Sequence, residues 1–171
     1  IVGYAFQLLR WQHISRFCPV CATPTESIPG SWGRQCPHCG HSSYPPVIPA
    51  IIVLVHKDDS ILMAHKRGWG KRYGLIAGFV EPGESLEECV RREIYEEASL
   101  EVDEITYAAS QPWPFPSQVM IGFTAHYTGG TAHADEDELD EVVWFTKDTL
   151  PQLPPPLSLA YTLVNAWVRA Q

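Results

Sequence analysis

Four of the five cysteines fall in two short runs, Cys18-Pro-Val-Cys21 and Cys36-Pro-His-Cys39, with fourteen residues between them. Each C-x-x-C turn aims two thiols at one point, and two such turns at this separation have the ligand spacing of a zinc ribbon. Proline after the first cysteine of each pair and Gly40 after the second pair supply the turn chemistry such knuckles need. A pair of disulfides is the competing use of the same residues. Nothing else in the chain points to secretion, and a disulfide inside C-x-x-C is usually catalytic and strained, so the spacing favours metal. Cys18, Cys21, Cys36 and Cys39 would close a tetrahedral shell around Zn²⁺, which makes the ion's expected role structural. His38 and His41 stand near enough to be alternative ligands, but beside four thiolates they are expected to face solvent or support the ligands.

A chain of 171 residues, 45% hydrophobic, can add one ordinary domain to such a ribbon. Its longest apolar run, "VIPAIIVLV", is too short to cross a membrane, so no membrane partner is expected. No signal stretch is visible, and the first residue is Ile1 rather than Met, which leaves room for a longer precursor. The net charge of −8 argues against indiscriminate nucleic-acid binding, yet it is unevenly spread. Residues 1–72 carry eight Lys/Arg against three Asp/Glu, and residues 73–171 carry four against seventeen.

Residues 1–17 read as a short amphipathic helix leading into a ribbon over 18–46, and 47–171 read as the main domain. "SSYPPVIP" is a proline-rich joint, and "AIIVLVHKDDSILMAHKR" reads as two β-runs folded over a Lys-Asp-Asp-Ser turn. "KRYGLIAGFVEPGE" is glycine-punctuated and ends in an acidic turn. Strands are expected over 102–109, 118–128 and 142–146, with "TGG" as a turn and a last helix near 157–170. In "SQPWPFP", residues 110–116, alternating prolines predict a stiff extended loop that places Trp113 and Phe115 on one face. Strands, a central helix and strands again indicate an α+β or α/β sandwich.

The central helix, 85–98, opens with Ser85 followed three residues later by Glu88, a capping-box pattern. Leu86, Val90, Ile94 and Ala98 recur every four residues as its buried stripe, and Glu93, Glu96 and Glu97 fall within roughly 100° of arc beside it. Glu93 and Glu97 are like charges at i, i+4, which destabilises a helix by about 0.2–0.5 kcal/mol unless a positive charge lies between them. Arg91 and Arg92 are the only basic residues nearby. A hard divalent cation such as Mg²⁺ would resolve the repulsion, and Mg²⁺ held by few carboxylates typically works on phosphates.

The same stretch, "GFVEPGESLEECVRREIYEEASL", resembles the Nudix box, with Gly78, Glu84, Arg92, Glu93, Glu96 and Glu97 at its defining positions. The resemblance implies a Nudix α/β/α sandwich with a mixed sheet, preceded by the zinc ribbon. It further implies hydrolysis of nucleoside diphosphate derivatives, with Glu93, Glu96 and Glu97 holding Mg²⁺ or Mn²⁺ and Arg92 orienting them. Glu138, in "DEDELDEVVWF", matches the family's downstream glutamate, a base or further ligand. Ser99 departs from the family's helix-ending glycine, which implies a slightly altered helix end with activity retained.

A four-cysteine ribbon before the box and "SQPWPFP" after it are similar to the NADH pyrophosphatase branch of that family. By this resemblance the substrate is NAD(H) or a related dinucleotide, cleaved to nicotinamide mononucleotide and AMP, with removal of NAD caps from RNA as a related activity. Tyr44 and Phe79 match nucleotide-contacting positions, Trp113 and Phe115 shape the site, and the late Ala160 matches as well. Gln118 stands where relatives more often have Ser. A homodimer with sites assembled across its interface is implied, and "FQLLRW" resembles the last helix of an additional N-terminal domain.

Two rivals are weaker. An isoprenoid diphosphate isomerase on the same fold does not need the intact glutamate cluster. An RNA-contacting module using Lys57, Lys66, Arg67, Lys71 and Arg72 would not need every charged motif position filled. Zinc thiolates imply a reducing compartment, hence cytoplasm.

Overall fold

The computed structural model describes residues 1–135 and 137–171. Its contacts divide the chain into two compact units, Ile1–Ile48 with Pro112–Val119, and Pro49–Gln111 with Met120–Gln171.

The first unit begins with helix α1 (Val2–Ile14), which buries only Leu8 and Trp11. Its Tyr4, Phe6 and Leu9 are exposed, so the expected amphipathic pattern is weak. Three two-residue strands follow, β1 (Glu26–Ser27), β2 (Arg34–Gln35) and β3 (Ser42–Ser43), paired antiparallel in that order. So small a sheet buries almost no apolar surface, and polar contacts and the thiol cluster hold it. Trp11 Nε1 donates to the Trp32 carbonyl at 2.8 Å, and the buried Thr25 hydroxyl donates to the Ser15 carbonyl at 2.6 Å. The Arg34 guanidinium donates to the hydroxyl and carbonyl of Thr25 at 2.7 and 2.6 Å.

The second unit is a six-stranded sheet between two helices. β4 (Ile48–Lys57) and β5 (Ser60–His65) form the expected hairpin, and Asp58, at φ 47°, makes its turn. β7 (Leu100–Trp113), β8 (Gln118–Gly130), β4, β5 and β9 (Glu141–Thr146) lie side by side in that order. β6 (Ile76–Phe79) pairs antiparallel with β4, Ile51 opposite Gly78. Alternation along β4 and β5 fills both faces. Ile51, Val53, Val55, Leu62 and Ala64 pack with Cys89, Val90, Ile94 and Ala98 of α2 (Leu86–Ala98). Ile52, Leu54, Ile61 and Met63 pack with Leu159, Ala160, Leu163 and Val164 of α3 (Leu159–Ala170). Burial on both faces explains why these strands read as unbroken apolar runs. The expected α/β/α sandwich is the observed fold.

Three local expectations need correction. "TGG" is no turn but the end of β8: a Cβ on Gly130 would overlap the Ser99 carbonyl, so glycine there permits close backbone approach. Residues 76–79 form a strand too short and too Gly-interrupted to show periodicity. "SQPWPFP" is not extended throughout, because β7 runs to Trp113 and residues 114–117 turn back into β8. Pro112 is tolerated because β7 is an edge strand, where a missing donor breaks no internal ladder.

Helix α2 begins with the capping box expected of it, Ser85 and Glu88 bonding reciprocally. It ends on Ser99 at φ 56°, ψ 34°, the left-handed conformation a glycine adopts without steric cost. Ser99→Gly should therefore stabilise the protein by about 1 kcal/mol in denaturant unfolding.

Candidate active site

The four thiols of the first unit lie within 4.8 Å of one another, and all are free. Cys18 to Cys39 is 3.6 Å, Cys21 to Cys36 3.5 Å and Cys21 to Cys39 3.6 Å. Bonds of ~2.3 Å to a tetrahedral ion put sulfurs roughly 3.8 Å apart, so the cluster has the size of a Zn²⁺ site and not of disulfides. The two knuckles are built alike. The residue after each second cysteine turns left-handed, Ala22 at φ 58° and Gly40 at φ 74°, and its N–H donates to the first cysteine's carbonyl. This is a site for a structural zinc ion.

In the second unit, β6 and α2 meet at Gly78. A Cβ there would overlap the Glu93 carboxylate, so glycine is what lets that side chain lie against the strand. Arg92 organises the rest. Its Nε and Nη2 grip both oxygens of Glu84 at 2.8 and 2.9 Å, and its Nη1 donates to Glu93 at 2.8 Å and Glu96 at 3.1 Å. Nη2 also donates to the Phe79 carbonyl at 3.0 Å. Three carboxylates are thus fixed by one planar cation, a geometry lysine could not supply. The Glu84 carboxyl is pulled down to about 2, chiefly by Arg92 and then by the Glu81 N–H. Gly78→Ala should displace the Glu93 carboxylate from β6, seen as an altered Arg92–Glu93 contact in a crystal structure of the variant, while thermal unfolding shifts only modestly.

Glu97 is different. It points away from solvent, only 8% exposed, and burial pushes its carboxyl up to about 7, with Glu93, Glu138 and Asp135 adding to the shift and Lys66 opposing it. Glu93 is raised as well, again first by burial, with Arg92 opposing. The acidic segment reaches the helix because His133 N–H donates to the Ala98 carbonyl at 3.0 Å and Asp135 N–H to the Glu97 carbonyl at 3.2 Å. Glu138 carries an ion pair with Lys66 at 3.8 Å. A buried carboxyl raised further by Glu93, Glu138 and Asp135 offers oxygen donors of the kind a hard divalent cation fits. Among the described residues only the four thiols draw together as tightly as one ion's complete ligand set.

The remaining expected residues divide between the units. Phe79 is exposed beside Glu93, and Ala160 is buried in the apolar layer under α3. Tyr44, Trp113, Phe115 and Gln118 belong to the first unit. There Tyr44 lines a groove of about 360 Å³ with Tyr4, Arg10, Trp11 and Trp32. Phe115 meets Trp113 edge-on at 5.5 Å and Phe6 of α1 at a tilt at 6.1 Å between ring centres. Lys66 and Asp135 were not expected at the carboxylates. Lys66 gets there through the β5·β9 pairing, His65 opposite Glu141, for which no local spacing is a signal.

A sheet sandwiched by helices, with an arginine-braced glutamate helix over one edge strand, defines the Nudix class of fold and site. The chain belongs to the Nudix family: the NUDIX domain model matches residues 46–167, and the NADH pyrophosphatase zinc ribbon domain matches 15–44. It is 45% identical over 162 residues to a Chromobacterium violaceum protein named NAD-capped RNA hydrolase NudC, covering 94% of this chain and 61% of that one. A protein of the same name from Edwardsiella ictaluri is 42% identical, with 96% and 65% covered. The chain thus spans less than two thirds of the length of these curated relatives. A crystal structure of a NUDIX hydrolase from Nitrosomonas europaea shares the fold with TM-score 0.69 at 24% identity, over 90% of this chain and 88% of that one. Nudix hydrolases use Mg²⁺ or Mn²⁺, and Glu93, Glu96, Glu97 and Glu138 are the carboxylates here that could hold such ions.

Proposed function

We propose that this protein hydrolyses the pyrophosphate of NAD(H), giving nicotinamide mononucleotide and AMP, and cleaves the same bond in NAD-capped RNA, giving nicotinamide mononucleotide and a 5′-monophosphate RNA. The observation that carries the reading is the arginine-braced carboxylate face of α2, with Glu97 buried beside it, and the ribbon's likeness to the NADH pyrophosphatase type gives the substrate class. A divalent cation held there would supply charge neutralisation for the phosphate oxygens and acidify water. The chain's own residues do the positioning. Glu93 and Glu97 present the negative charge that draws the ion, Arg92 fixes Glu84, Glu93 and Glu96 at their angles, and Gly78 leaves room for Glu93. Glu138 accepts the proton as water oxygen bonds to one phosphorus and the bridging P–O bond breaks. AMP and the mononucleotide each leave as a phosphate monoester.

Phe79, exposed at the end of β6, is read as the aromatic that stacks on a flat nucleobase. The resemblance alone reads Tyr44, Trp113, Phe115, Gln118 and Ala160 as substrate contacts, and the buried Ala160 offers a ligand no side-chain surface. A homodimer, with Tyr44 offered to a partner's pocket, and a reducing cytoplasmic setting suited to free thiols belong to the same reading. So does the division into lead-in helix, ribbon and hydrolase domain. The test is incubation with NADH and Mg²⁺ followed by chromatography. AMP and reduced mononucleotide in equal amounts are expected, and release of free nicotinamide, or no products, contradicts the reading.

A further inference from the structure

The basic loop between β5 and β6 is the largest charged feature that the mechanism leaves unused. Residues 66–72, "KRGWGKR", hold four cations and one tryptophan. The loop is tied at its base, where Ala64 and Gly74 exchange backbone hydrogen bonds at 2.9 and 2.8 Å. Inside it, Trp69 N–H donates to the Lys66 carbonyl at 3.0 Å, and Arg72 Nε donates to the Trp69 carbonyl at 3.2 Å. Trp69 lies over Gly74, where a Cβ would come within 2.8 Å of its ring, and stays 38% exposed. Lys66 touches Glu138, and Arg67 reaches Asp140 at 3.5 Å, so one end of the loop borders the carboxylate cluster. Lys71 and Arg72 form no ion pair among the described residues, and both are exposed.

A chain with net charge −8 repels polyanions in general, so an ordered cationic loop beside the reaction centre acts locally. Free dinucleotide ends at its two nucleosides, whereas capped RNA continues from the 3′ oxygen of the cap's adenosine as a string of phosphodiesters. A cationic strip with an exposed aromatic ring is the surface chemistry that single-stranded nucleic acid binds without sequence preference. Resting on the function proposed above, we propose that Arg67, Lys71, Arg72 and Trp69 form a track for the first nucleotides of a capped RNA and set the preference for RNA over free dinucleotide.

The test compares kcat/KM for NADH and for a short NAD-capped single-stranded RNA, in wild type and in R67Q/K71Q/R72Q, from 50 to 300 mM salt. Losing three phosphate contacts should lower the capped-RNA value about ten- to hundredfold at low salt and reduce its log–log salt slope by about 2. NADH turnover should stay within about twofold, which also shows that the variant is folded. If the triple variant fails to fold, K71Q alone, at an exposed position, should lower the slope by about 0.7. Unchanged capped-RNA kinetics, equal losses on both substrates, or a wild type that cleaves NADH but not capped RNA would overturn the track. A wild type that cleaves neither substrate removes the proposed function and the track with it.

Discussion

Glu97→Gln should abolish hydrolysis, by at least a thousandfold, and at the same time make the metal-free protein more stable at pH 8. The two effects share one cause. Glu97 is buried among Glu93, Glu138 and Asp135, and its carboxyl titrates at about 7 against an ordinary 4.5. The folded protein therefore holds this proton more tightly than the unfolded chain does. Stability from this group declines as pH rises from about 4.5 to 7, and the deficit is complete above 7. Removing the charge should restore about 2 kcal/mol at pH 8 and almost nothing at pH 4. Cation binding has the opposite dependence, since it needs the ionised carboxylate. Wild-type Mg²⁺ affinity should fall below pH 7 by up to tenfold per unit, and the variant should lack that dependence. Paired urea denaturation at pH 4 and pH 8, with NADH assays, checks both. A variant that loses stability at pH 8, or keeps its turnover, would show Glu97 to be a structural residue.

Removal of zinc should be the largest structural perturbation available. The sheet of β1, β2 and β3 has two residues per strand, and the most buried hydrophobic side chains described in the first unit are Cys18 and Cys36 beside it. Without the ion the four thiols have no reason to converge, and structural zinc binding is worth about 10–16 kcal/mol in isolated finger peptides. Chelation, or Cys36→Ser, should collapse amide-exchange protection across residues 15–44. Trp11 fluorescence should change with it, because the indole N–H is held by the Trp32 carbonyl. Protection in β4, β5 and α2 should persist, since their core is the sandwich's own. Elemental analysis should find one zinc per chain. Protection that survives in 15–44 after complete zinc loss would refute the metal's folding role.

What the sequence made legible is what short-range spacing controls. The two cysteine knuckles, the capping box at Ser85, the apolar stripe of α2 and the β4–β5 hairpin all depend on residues within a few positions of one another, and all are present as read. The spacing that sets Glu93, Glu96 and Glu97 within one arc of α2 was equally local. The contacts that complete the site were not. Lys66 and Asp135 come to Glu97 through strand pairing and through backbone bonds from the 133–135 segment to the end of α2. Gly78 was visible as a motif position, but its reason, the Glu93 carboxylate lying where a Cβ would be, needs β6 and α2 in place. β6 itself was missed because four residues interrupted by glycine carry no period. The same limit explains "TGG", where glycine chemistry usually signals a turn but here permits close approach to Ser99. At "SQPWPFP" the prolines read correctly as excluding a central strand. The edge position of β7 admitted Pro112 anyway.

The central claim is that the carboxylates of α2 hold the reaction's cations, and diffraction from a Mn²⁺-soaked crystal at the manganese absorption edge tests it most directly. Anomalous density against the Glu93 and Glu97 carboxylates, lost in Glu97→Gln, is the predicted result. A fully active protein whose manganese density lies elsewhere, with none on α2, would contradict it.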